Sequence, residues 1–163
     1  MAIPVYLTLT ASENNKIRGS SDVVGRQGTI EVIAYNHNLS ISTDNNTGKL
    51  TALRVHAPFI FSKEIDRSST ELHKALTNPA TLDSAEFKWY RINDGGDEIE
   101  YYSVTLKKVK VVKITSFMYD VKDPTKEMHN HLEEVELRYE EIIWNYMDGN
   151  LIHSDSWNAR PSA

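Results

Sequence analysis

Apolar and polar residues alternate with period two over most of this chain. Ile3, Val5, Leu7 and Leu9 alternate with Pro4, Tyr6, Thr8 and Thr10. That is the pattern of a half-buried strand, and Pro4 suits its first residues or a sheet edge. "TIEVIAY" (residues 29–35) is β-branched and aromatic and reads as a second strand. In "RVHAPFIF", Val55, Ala57, Phe59 and Phe61 alternate against Arg54, His56, Pro58 and Ile60. "AEFKWYRI" (residues 85–92) alternates again, and "NDGGDE" is a turn signal. "IEYYSVTLKKVKVVKITSFMY" is a long β-rich run that "VKDPTKE" breaks. One segment departs from period two. Ser68 and Glu71 have capping-box spacing, Leu72, Ala75 and Leu76 share a helical face, and Asn78-Pro79 is a stop. A short helix over about Ser69–Thr77 follows.

Residues 132–147 fit two periods. Leu132, Val135, Tyr139, Ile142, Ile143 and Tyr146 form a helical stripe, with Leu137 and Trp144 off it. As a strand, Val135, Leu137, Tyr139 and Ile143 face one way, and Glu134, Glu136, Arg138 and Glu140 the other. "IIWNYM" is β-rich and Asp148-Gly149 is a hairpin turn. Two stretches read as connections. "SENNKIRGSSDVVGRQG" is polar and turn-rich. Residues 36–53 form a long loop of Asn, Ser, Thr and Asp, and loops of that length inside compact domains are usually functional. With no internal repeat, low-complexity tract or linker, the chain reads as one mainly β domain, 1–163, with one helix.

Composition narrows the function more than the fold. The 163 residues carry a net charge of −5, with a pI near 5.7, which argues against general nucleic-acid binding. No apolar run is long enough to span a bilayer as a helix. "MAIPVYLTLTASENNKI" lacks the basic opening and cleavage site of a secretory signal. There is no cysteine, so thiolate and disulfide chemistry are excluded. Asn38 and Asn45 match the glycosylation pattern, which without a signal peptide is expected to stay unused.

Candidate chemistry is sparse. His129, His131 and Glu133 would share a strand face, as metal ligands do in cupin-type β-barrel oxygenases. That pattern also wants an upstream Gly and a downstream Glu, and Asp123 and Val135 stand there. A polar loop entering a strand is the plainer reading, and no metal or cofactor is expected. Glu134, Glu136 and Glu140 invite a general-acid and general-base reading, but Arg138 sits among them and the run suits a solvated face. Lys107, Lys108, Lys110 and Lys113 would keep a strand edge soluble and pair across strands with glutamates from Glu134 to Glu141. Trp89, Trp144 and Trp157 are not spaced as a stacking platform and suit core or interface packing. Nucleophile-elbow, dinucleotide, P-loop and zincin motifs are missing. The chain leans toward a binding or structural role, not an enzyme.

Its segments, taken in order, resemble the Hcp family, the haemolysin-coregulated tail-tube proteins of bacterial type VI secretion systems. The likeness starts with "MAIPVYLTL" and "KIRGSSDVVGRQGTIEVIAYNHN". It continues through "STDNNTGKLTALRVHAPFIFSKEIDRSS", "SAEFKWYRIND" and "LKKVKVVKI", and closes with "HNHLEEVELRYEEIIWNYMDGNLIHSDSW". The resemblance implies a β-barrel of two sheets with a helix at one side, similar to phage tail-tube proteins. It implies homohexameric rings stacked into a tube, tipped by the VgrG spike protein and driven by a contractile sheath on a baseplate. Small effector proteins would sit in the ring lumen. The protein would be made in the bacterial cytoplasm and released without a signal peptide to the medium or a target cell, with no membrane insertion. It makes 132–147 a strand running into a hairpin with "LIHSDSW". It also places an extended loop at residues 40–53, reaching toward the neighbouring ring. Thr43, Asp44, Asn45, Asn46, Thr47, Gly48 and Lys49 are then the expected stacking residues, through polar, reversible contacts.

Overall fold

The structure is a computed structural model that describes residues 2–159. Its elements run β1 (Val5–Ser12), β2 (Asn15–Ile17), β3 (Ile30–Val32), β4 (Ala34–Asn36), β5 (Leu39–Ser40), β6 (Val55–His56) and β7 (Phe59–Glu64). Helix α1 (Ser69–Thr77) follows, then β8 (Leu82–Ile92), β9 (Glu98–Phe117), β10 (Leu132–Arg138), β11 (Glu141–Tyr146) and β12 (Leu151–Ser156). Residues 132–138 and 141–146 are strands, separated by a break at Tyr139–Glu140, so the strand reading holds and the helical one does not.

The 20-residue β9 builds both sheets. Its first half lies between β8 and β11, and from Lys110 onward it pairs with β10. The corner is Lys108, whose φ of 54° lies in the left-handed region. A residue there bends the strand sharply, and β9 leaves one sheet for the other. One sheet thus holds β2, β1, β8, β9, β11 and β12, with β3 against β1. The other holds β9, β10, β7 and β4. The chain crosses again at Ile33, since β3 bonds to β1 while β4 bonds to β7. The hydrogen-bonded sheets do not close into a barrel; the crossing at Ile33 joins them covalently, without a ladder between β3 and β4. The mainly β class with two sheets and one helix is as expected, with the barrel left open between β3 and β4.

Leu7, Leu9, Phe59, Phe61, Phe87 and Leu106 fill the space between the sheets and are essentially inaccessible. The rings of Phe59 and Phe87 stack at 4.4 Å, and Phe61 meets Phe87 edge-on at 5.5 Å. Period two fails where strands break. Val135, Leu137 and Tyr139 point inward, but beyond Glu140 the buried position is Ile142 and Ile143 is only partly covered. Glu133, on the charged run, is buried.

Helix α1 has the expected ends but a different cap. The Ser68 side chain makes no capping bond to the helix. Its amide and hydroxyl both donate to Asp66 Oδ1, at 2.9 and 2.5 Å, and Ser69 Oγ accepts from the Asp66 amide. Asp66 also meets the buried Lys63, whose Nζ reaches Glu133 at 2.5 Å and Ser69 Oγ at 3.1 Å. Burial pushes the Asp66 carboxyl up, but the bonds from Ser68 and Lys63 outweigh it and hold it below the usual range. This polar cluster ties the helix to β7 and β10.

Candidate functional site: a hairpin arm with a buried polar root

The long polar segment is an ordered hairpin, not an irregular loop. β5 and β6 pair at Leu39–His56 and Ser40–Val55, and Thr43 bridges Leu50 farther out. Between 38 and 55 every residue is exposed except Asp44 and Arg54, so the arm stands clear of the sheets. All seven expected stacking residues lie at its tip. Asp44 organises them. Its Oδ1 accepts from the Asn46 amide at 2.7 Å and the Thr47 amide at 3.1 Å, and its carbonyl accepts from Gly48. These backbone donors hold the Asp44 carboxyl below its usual range. Gly48, at φ +71°, makes the turn a side chain would strain.

The arm is not polar throughout, as its sequence suggests. Leu39, Ile41, Leu50, Leu53 and Val55 are all exposed, Leu50 by 66% and Leu53 by 59%. Five large apolar side chains on one projecting hairpin are a mark of a contact surface. Val55 was expected inside and His56 outside. The order is the reverse, because the strand breaks at Ala57-Pro58 and the alternation restarts at Phe59.

His56 is 1% exposed and centres the arm's root. Its Nδ1 lies 2.6 Å from the Tyr139 hydroxyl and its Nε2 lies 2.7 Å from Asp155 Oδ2. Tyr139 in turn meets His37 Nε2 at 2.8 Å. Arg54 grips Asp155 with two bonds, of 2.5 and 2.7 Å, and donates to the carbonyls of Ser156 and Ala159. Trp157 lies against the His56 ring at 5.3 Å, and Arg138 donates to the His56 carbonyl. Both legs of the arm are therefore fastened to β12 and to the end of β10. The bonds from Arg54, then from His56, pull the Asp155 carboxyl down to about 2. Burial pushes the Tyr139 phenol well up, so it is no nucleophile. Burial, and then the His56 charge, lower His37 to about 4. None of these five residues stands in a motif. The one trace in the sequence is a histidine inside the otherwise apolar run "VHAPFIF" (residues 55–61).

The other candidates scatter. The His129 ring packs on Tyr119 at 4.7 Å, and among the described residues no three His, Asp or Glu side chains converge as metal ligands. Lys107 pairs with Glu141 at 3.9 Å and Lys113 with Glu136 at 3.5 Å, the expected cross-strand partners. Only Lys110 and Lys113 lie on the half of β9 that is a sheet edge, since Lys107 sits between β8 and β11. Trp89 is core, while Trp157 stays 40% exposed.

The profile of the family described as "Type VI secretion system effector, Hcp" matches residues 6–146. The chain is 30% identical to the "Major exported protein" of Pseudomonas aeruginosa, over 98% of each chain. A mutant Hcp1 protein from E. coli EAEC 042 is 58% identical, with a TM-score of 0.86 over 96% of this chain and 99% of that one. The secreted protein Hcp3 from Pseudomonas aeruginosa shares the fold, with a TM-score of 0.74 at 24% identity over 96% and 99%. Fold, length and sequence agree, and the chain belongs to the Hcp family of type VI secretion proteins.

Proposed function

We propose that this protein is a structural subunit of a type VI secretion tail tube, a single Hcp-like domain over 1–163. It assembles as homohexameric rings, and the rings stack through the arm. The observation that carries this reading is the arm: a pre-ordered hairpin with an apolar flank and a root fastened at both legs. A flexible loop would lose much of its contact energy to ordering, whereas this one is already ordered. Stacked rings make a heterologous contact in which one surface donates and another accepts. The apolar flank supplies contact area, and the tip around Asp44 supplies direction. The polar-only contact expected from the sequence is replaced by this mixed one. The reading assigns further partners outside the ring: the VgrG spike protein at the tip, and the sheath and baseplate around the tube. Small effector proteins fit the lumen.

Replacing residues 43–49 by Gly-Gly tests the reading. The variant keeps its β-type circular dichroism and its hexamer, seen by light scattering, because the tip adds no core. It loses end-to-end tubes in negative stain and loses secretion. Tubes and secretion that survive show that the arm is not the stacking element. A ring that falls apart moves the arm to the lateral contact.

A further inference from the structure

We infer that the root of the arm is a proton-operated latch, in which His37, Tyr139, His56 and Asp155 tolerate one added proton and a second breaks the His37 anchor and loosens the arm. The three bonds of this relay join residues 102, 83 and 99 positions apart in sequence. Their direction is fixed from the carboxylate end. Asp155 only accepts, so His56 Nε2 carries the hydrogen. Neutral His56 then offers a bare Nδ1, and the Tyr139 hydroxyl donates to it. That hydroxyl has no second proton, so its oxygen accepts from His37 Nε2–H.

One more proton is accommodated. It goes to His56 Nδ1, giving an imidazolium between the phenol and the Asp155 carboxylate. Tyr139 turns its O–H toward His37 Nε2, and the His37 hydrogen moves to Nδ1. All three bonds persist. A second proton, on His37, cannot be absorbed. Both imidazolium rings then aim N–H groups at one phenol oxygen, and the Tyr139 proton is left in a buried site with no acceptor. The charges around the relay add to the cost. Arg54 and Arg138 are cations, and the carboxylate bonded into the relay, Asp155, lies beyond His56 from His37. The low position of His37, held there by burial and by His56, fits its being the last group to charge. Its loss removes the side-chain anchor of the leg at Asn36–Leu39, which keeps only its backbone bonds to Ile60, Ala57 and His56, while Arg54 keeps the other leg on Asp155.

The chain has no cysteine, so Asn46→Cys gives one spin-label site at the arm tip. Label mobility is read on the full-length protein at pH 7, 5.5 and 4, with circular dichroism in parallel. The tip is expected to be immobile at pH 7 and 5.5, and its correlation time to fall several-fold near pH 4 with the fold intact. In the His37→Gln background, where the amide still donates to Tyr139 but cannot charge, that transition disappears. Tyr139→Phe is mobile at every pH. The side-chain ¹⁵N spectrum of the unsubstituted protein provides an independent check, and shows His56 protonated on Nε2 at neutral pH. An unchanged acid transition in His37→Gln overturns the latch. So does a tip no freer at pH 4 than at pH 7, unfolding before the tip moves, or an Nδ1–H His56 at neutral pH. The role of the latch in tubes rests on the arm being the stacking element. Its mobility is read without stacking, so the two ideas fail separately.

Discussion

Lys63 is the most deeply buried charged side chain among the described residues. It is wholly buried, with Glu133 at 2.5 Å and Asp66 at 2.9 Å, and Glu133 is itself only 1% exposed. Such a pair gains little net stability, because desolvation of two charges offsets their attraction. Removing one partner is another matter, since it strands the other in a dry site. Lys63→Ala is expected to cost about 3–5 kcal/mol, read from urea unfolding. The double variant Lys63→Met with Glu133→Leu leaves Asp66 on its Ser68 bonds alone and is expected to recover most of that loss. A double variant as weak as Lys63→Ala would show that the charges hold the fold rather than merely needing each other. Glu133 Oε2 has no hydrogen-bond partner in its buried position, which is a further reason to expect the apolar pair to be tolerated. Nothing in the local sequence distinguishes Glu133 from the solvated glutamates beside it. Its burial follows from a lysine 70 positions away and a helix packed over both.

At the scale of elements, the corner in β9 is the feature most specific to this fold. Lys108 holds φ at 54°, a conformation that costs a side-chain-bearing residue about 1–2 kcal/mol. Lys108→Gly is expected to stabilise by about 0.5–1 kcal/mol, and Lys108→Val to destabilise by more than that, both read as shifts in melting temperature with the hexamer intact. Equal effects of Gly and Val would mean that the corner is set by tertiary packing alone. The corner also marks how far the sequence was legible. The strands of β1, β8 and β9 and the helix Ser69–Thr77 could be read because their period holds over several residues. The corner could not, because "LKKVKVVK" continues the β-rich run straight through it. The same limit applies to the site. The turn at residues 43–49 was legible from Gly48 and the short polar residues around it. The root was missed because Arg54, His56, Tyr139 and Asp155 meet only in three dimensions. The burial of His56 depends on a parity break at Ala57-Pro58 that no local pattern announces.

For the whole molecule the question is one of symmetry. An arm on one surface that docks on a different surface of the next ring gives an open, growing stack, whereas arm-to-arm contact would close at two rings. The two cases respond differently to rings that lack the arm. A ring of the 43–49 replacement keeps its acceptor surface but has no donor. It can take the arms of a complete ring, and it then presents nothing at its far side for the next one. In a heterologous stack such rings act as terminators. Preformed natural and armless hexamers, mixed without exchange of subunits, are therefore expected to give shorter tubes as the armless share rises. At one armless ring in ten, growth in that direction stops after about ten rings on average, since each addition has about that chance of being a terminator. Tube lengths in negative stain measure this directly. Under arm-to-arm contact the armless rings have no surface to join with and stay as single rings, and the remaining natural rings pair as before. A length distribution that does not respond to armless rings would overturn the donor and acceptor arrangement. It would do so even if the armless protein alone makes no tubes, and this separates the direction of stacking from the need for the arm.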